Sequence, residues 1–238
     1  MPQCGAARAA VGVAETFPAG VVADEVTPGA GVDLVVAAFR PAAVAILGAV
    51  VPQGDGDMHE SLMTHGARWW RHRWMPERAA ERAVPPAMAE QLQARVSASE
   101  ARHSGEIVVC VEAALPNKDL WRAGREAPLP MVIRERALSW FGKLRVWDTE
   151  HNNGVLIYLM LAERCVEIVV DRGISRHVAD EHWQSVVQAL GQHLQSGDFE
   201  SGLTQALQEA SALLVEHFPL QPDDVNPNEL SNRVVWVD

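Results

Sequence analysis

Two apolar runs separated by three residues constrain this chain more than any other feature. Residues 155–161 read Val-Leu-Ile-Tyr-Leu-Met-Leu, and Cys165-Val166-Glu167-Ile168-Val169-Val170 follows after Ala162-Glu163-Arg164. Runs this short and this rich in β-branched residues suit strands, and the three-residue joint reads as a hairpin. Their near-continuous apolarity means both faces are covered, so helices must lie on both sides of the sheet. Polar turns bound the pair: Asn152-Asn153-Gly154 before it and Asp171-Arg172-Gly173 after it. Loops beside a buried sheet are where α/β proteins commonly carry function.

The flanking segments supply the helices. Pro85-Pro86 suit a helix start, and Met88, Leu92, Val96 and Ser99 recur at helical spacing before Gly105 ends the helix. Residues 106–112, Glu-Ile-Val-Val-Cys-Val-Glu, read as a further strand. Pro116, Gly124, Pro128 and Pro130 predict a long loop over 113–130. A second helix is expected over 131–144 with Ile133, Ala137, Trp140, Phe141 and Leu144 on one stripe, and a third over 175–195. After Gly197 a fourth carries Phe199, Leu203, Leu207, Ala210, Leu214 and Phe218 until Pro219 stops it. The order implies a small three-layer α/β/α sandwich with a mixed sheet.

The rest of the chain differs in composition. Residues 1–57 are rich in Ala, Val, Gly and Pro with no Lys and no sustained face, so they read as a disordered leader or as sequence ahead of a true start at Met58, Met63 or Met75. Residues 58–84 form an arm whose 66–82 portion mixes Arg with Trp69, Trp70 and Trp74. Such a segment suits either a membrane interface or partner, or packing of its Trp on the same chain's domain, and the acids and Pro76 favour the second. The folded unit is placed at 85–219, and the tail 220–238 reads as loose apart from 234–237.

Charge and hydropathy exclude some functions. The net charge of −11 argues against general nucleic-acid binding. Residues 34–51 are apolar, but Arg40-Pro41 interrupt them, so no transmembrane span is expected, and no secretory signal is apparent at the N-terminus. Cys4, Cys110 and Cys165 have no metal or redox spacing, and the last two sit in strand-like runs as small hydrophobes. A cytoplasmic protein, peripheral at a membrane if its arm docks there, is the expectation.

No phosphate-binding loop, dinucleotide fingerprint, esterase elbow or zincin motif is present. His151, His177, His182 and His193 lack convergent spacing for a metal. The acids are more informative. Glu106 opens the first strand, Asp148 and Glu150 precede Asn153 in its turn, Asp171 closes the hairpin, and Asp180 is expected one turn into the next helix. Oxygen-rich loops of this kind can hold calcium or magnesium, and a bound cation can polarise a phosphoryl oxygen. Ordinary turn acids and helix caps are the alternative. No nucleophile with an adjacent base is visible, so no catalytic residue is assigned.

Several short motifs together resemble one family. They are Ser99-Glu100-Ala101-Arg102-His103-Ser104-Gly105-Glu106-Ile107, Arg136-Ala137 with Phe141, Asn153-Gly154-Val155-Leu156-Ile157, Val166-Glu167-Ile168, Gly173-Ile174, Gly197-Asp198-Phe199 and Gly202-Leu203. Over about 85–219 the chain resembles the TPM-domain family, whose namesakes are a thylakoid-lumen phosphatase, a photosystem II repair protein and a receptor-associated membrane protein. The resemblance implies a Rossmann-like α/β/α sandwich and, by its plant members, an acid phosphatase activity with calcium binding, whereas bacterial members are often membrane-tethered or exported. Asn153 stands where many relatives carry an acid, and its neutral carbonyl attracts a cation less strongly. The alternative function is a non-enzymatic domain that binds a membrane-associated partner through the sandwich and the Trp/Arg arm.

Overall fold

The computed structural model describes residues 33–37, 66–123, 125–220 and 230–238. Its five-stranded sheet has the order β1-β4-β3-β2-β5, with β1 Asp33–Ala37, β2 Ile107–Glu112, β3 Val155–Met160, β4 Cys165–Val170 and β5 Val235–Val237. The predicted hairpin is β3–β4, antiparallel with Ile157 opposite Ile168, while β2 runs parallel to β3 and β5 parallel to β2. The sheet is therefore mixed.

Alternation along the strands divides the core in two. Ile107, Val109, Ile157, Leu159, Ile168 and Val170 face α2 (Pro86–Glu100), α6 (Asp180–Gln195) and α7 (Phe199–His217), meeting Leu92, Trp183, Leu190, Leu203 and Leu214. Val108, Cys110, Leu156, Tyr158 and Val169 face α4 (Leu129–Lys143), meeting Val132, Ile133, Ala137 and Phe141. Helices on both faces explain why β2, β3 and β4 are buried along their whole length. The protein is an α/β sandwich, as its sequence predicts.

The structure corrects several details. The expected loop over 113–130 contains α3, Asn117–Arg122, because Pro116 is tolerated immediately before a first turn, and α4 starts at Leu129 with Pro130 in its first turn. The helix expected over 175–195 is two elements. A short α5, Arg172–Ser175, is capped by the Asp171 side chain, and the extended Ala179 separates it from α6. Asp180 is therefore the first residue of α6 rather than a turn inside it. Residues 33–37, where no element is expected, form edge strand β1, with Asp33 opposite Val170. The remainder of 1–57 lies outside the described residues. Before α2, residues 66–73 are helical and α1 spans Ala79–Ala83.

Cys110 and Cys165 are buried and unpaired, and burial pushes the Cys110 thiol up to about 12, so it stays protonated as an apolar filler. No helix among the described residues is long and apolar enough to cross a membrane.

Candidate functional site

Because β2 and β3 run parallel and β4 returns antiparallel, the N-terminal ends of the first two meet the C-terminal end of the third. Continuing the register by one residue aligns Glu106, Gly154 and Asp171 across the sheet. The Val155 N–H donates to Glu106 O at 2.8 Å, and the Asp171 N–H donates to Gly154 O at 2.9 Å.

Backbone approach makes the two turns interlock. A Cβ on Gly154 would lie 2.0 Å from the Val146 carbonyl oxygen, and one on Gly173 would lie 2.4 Å from the Asn152 carbonyl oxygen. The Gly173 N–H donates to that same Asn152 oxygen at 2.8 Å. Asn152 takes the left-handed φ of 53° that Asn tolerates, and its Oδ1 accepts from Arg172 Nε at 3.0 Å. Asn153 is buried. Its N–H donates to Thr149 Oγ1 and its Nδ2 to Ser104 Oγ, both at 3.0 Å.

Two oxygens in this corner are left over. Asn153 Oδ1 and Asp171 Oδ2 are buried with no hydrogen-bond partner, although Asp171 Oδ1 accepts from the Arg172 N–H at 2.7 Å. Burial raises the Asp171 carboxyl above its ordinary value, against the pull of the Arg172 N–H and guanidinium.

The other predicted residues do not converge on these two. Glu106 is buried and hydrogen-bonds Glu100, whose carboxyl is raised by burial against the hydrogen bonds from Asn232 and Glu106. Asp148 is exposed and paired with Arg145, while Glu150 and Asp180 are also exposed. Backbones two strands apart are separated by about 10 Å, whereas oxygens sharing one cation must come within roughly 5 Å of each other. That spacing sets Glu106 apart from Asp171. Among the described residues no three His, Cys, Asp or Glu side chains are grouped to hold a metal. The rim thus sets the turns that carry Asn153 and Asp171 side by side through backbone contacts and brings Glu106 only into the same row.

Beyond the reach of the sequence reading lies a polar network at the opposite sheet end. Glu112, buried at the end of β2, accepts from Arg136 Nη2 at 2.6 Å, Trp140 Nε1 at 2.8 Å and Tyr158 Oη at 2.6 Å. Burial first and the Glu112 charge second hold the Tyr158 hydroxyl well above its usual range. On the same face Glu167 is fully buried with neither oxygen hydrogen-bonded, and burial raises it to about 8 against the pull of Arg134. The available signal was an acid in two of the three apolar strand runs, Glu112 in β2 and Glu167 in β4, with Arg136 and Trp140 four apart on the facing helix.

The arm docks at this end too, through different residues from those expected. His72 Nδ1 accepts the Leu115 N–H at 2.9 Å, which leaves Nε2 to donate to Glu163 in the β3–β4 joint at 2.8 Å. Arg68 and Arg71 pair with the same carboxylate at 3.3 and 3.4 Å. Arg68, Arg71 and His72 reach the domain, while Arg73 and the three indoles are exposed.

Comparison with known proteins agrees with this architecture. The NMR structure of BA42 protein from the psychrophilic bacterium Bizionia argentinensis is similar, with a TM-score of 0.53 and 25% identity over 64% of this chain and 94% of that one. No curated protein matches. The TPM-domain profile matches residues 81–213, more than half of the sequence and all of the β2–β4 core, and the chain belongs to the TPM-domain family.

Proposed function

We propose that this TPM domain binds a hard divalent cation, calcium or magnesium, weakly at the rim through Asn153 and Asp171. The observation that carries the reading is the pair of buried oxygens, Asn153 Oδ1 and Asp171 Oδ2, left without hydrogen-bond partners in two interlocked turns. Leaving a buried acceptor unsatisfied costs about 1–3 kcal/mol, so the fold benefits from a small electrophile there. Carbonyl and carboxylate oxygens are the donors such cations take. One carboxylate and one amide, without a third protein acid, fit low affinity.

Both oxygens are buried, so a phosphate ester would not reach them directly. Any ester would approach from the exposed side of the turn, where Asp148 and Glu150 stand. A cation in the corner would supply electrostatic stabilisation of a phosphoryl oxygen. Thr149 and Ser104 hold Asn153, and the Arg172 N–H holds Asp171 Oδ1, so the free oxygens stay oriented without metal. Phosphatase activity is thus an extension of the cation reading.

The test is calorimetric titration of the whole chain with calcium and with magnesium, alongside p-nitrophenyl phosphate turnover. Wild type should bind in the millimolar range, and Asp171→Asn should abolish binding while Asp148→Asn retains it. Binding that survives Asp171→Asn, or none in wild type, refutes the site. Cation-independent turnover refutes the extension alone.

A further inference from the structure

The geometry points to the outward face of the arm helix as a membrane-interface anchor that seats the domain on a lipid bilayer. Residues 66–73 form two helical turns, and the Trp74 N–H donates to Trp70 O at 2.9 Å, continuing the coil. His72 and Arg68 turn inward to Glu163, which leaves Trp69, Trp70 and Trp74 exposed by 38%, 55% and 72%. The indoles pack on one another, Trp69 to Trp70 and Trp70 to Trp74 each at 5.6 Å between centroids. Three adjacent exposed tryptophans on a helix clamped to the domain form a prepared apolar patch.

Two observations choose lipid as the occupant. The first is area. If one Trp presents up to about 250 Å², the three together expose roughly 400 Å². A stable protein interface buries about 800 Å² per partner, so the patch is small for a second copy or a protein ligand. A bilayer interface needs no matching surface and takes amphipathic indoles at the headgroup level. The second is charge. Arg73 is exposed between Trp70 and Trp74, and the Arg71 side chain is 54% exposed although it reaches Glu163. Guanidinium beside indole suits an anionic headgroup layer, and the acidic remainder of the chain is screened beyond about 10 Å at ordinary salt.

This inference does not rest on the rim. The experiment is co-sedimentation of the full chain with vesicles of phosphatidylcholine alone, or mixed with phosphatidylglycerol. A chelator is present throughout, so that no cation can bridge the rim to lipid phosphate. Wild type should pellet with both and more strongly with the mixture. Trp70→Ala/Trp74→Ala should reduce partitioning at least tenfold. Trp147→Ala should leave it unchanged, because Trp147 is comparably exposed, at 50%, outside the arm. Circular dichroism of each variant verifies folding. Equal pelleting of wild type and the arm variant overturns the proposal. So does absence of vesicle binding together with concentration-dependent self-association that the arm variant loses, which would make a second copy the occupant.

Discussion

Glu112→Gln should cost about 3 kcal/mol of stability, although it changes a single heavy atom at a site remote from the rim. The carboxylate receives Arg136 on Oε1 at 2.6 Å, and Trp140 and Tyr158 on Oε2 at 2.8 and 2.6 Å. A glutamine must place its NH2 at one of these positions. On the Oε1 side it opposes a guanidinium, and on the Oε2 side it opposes an indole N–H that has no acceptor capacity. Removing one partner of a buried ion pair costs about 3–5 kcal/mol. The Arg136 side chain is 14% exposed and can recover some hydration, which selects the lower end of that range. For a folded unit of this size 3 kcal/mol corresponds to roughly 6–12 °C in melting temperature. Urea unfolding followed by far-ultraviolet circular dichroism measures the loss, and Glu112→Leu/Arg136→Met measures the coupling. Because that pair removes both charges but leaves the Trp140 N–H and Tyr158 hydroxyl without their acceptor, it should be less damaged than the sum of its two singles while remaining below wild type. A single-variant loss below about 1 kcal/mol, or a double variant as damaged as the sum of its singles, would refute the buried-pair reasoning.

Glu167 predicts a pH dependence of definite sign. Its folded value is raised from 4.5 to about 8, so the unfolded chain releases the proton first and stability falls as pH rises between those values, then levels off. Glu167→Gln should match wild type near pH 4.5 and exceed it by up to about 4 kcal/mol at pH 8; a pH-independent difference in urea midpoints would contradict this. The glycines make a paired prediction. Gly154→Ala should cost several kcal/mol, because its Cβ meets the Val146 carbonyl at 2.0 Å, while Gly142→Ala, in α4 with open space around it, should stabilise by about 0.5–1 kcal/mol. Thermal melts of both variants check it, and equal effects would refute it.

How much of this was legible in the sequence follows from the range of the forces involved. The hairpin, the parallel β2 and the core helices rest on local periodicity, so short apolar runs and turn residues reveal them. Strand β1 rests on pairing with β4 from more than a hundred residues away, and nothing in its own neighbourhood announces that edge. The helix at Asn117–Arg122 was hidden by reading Pro116 as a breaker when it stands at the helix entry. The site divides in the same way. The turns of Asn153 and Asp171 were visible because they bound adjacent strands, and the β3–β4 pairing sets those turns side by side. Asp148 and Asp180 share their composition but not their burial, which depends on where each loop points. The Glu112 network needed the pairing of β2 with β3 and the docking of α4. The arm was legible as a Trp/Arg segment, whereas its orientation depended on Glu163 in a distant hairpin joint.

Amide chemical-shift mapping of the whole chain during a calcium titration locates the cation residue by residue. Saturable shifts are expected centred on Asn153, Gly154, Asp171, Arg172 and Gly173, weakening as pH falls and the raised Asp171 carboxyl takes up its proton. Shifts centred instead on exposed Asp148 and Glu150, or no saturable shift anywhere in these two turns, would contradict the rim site.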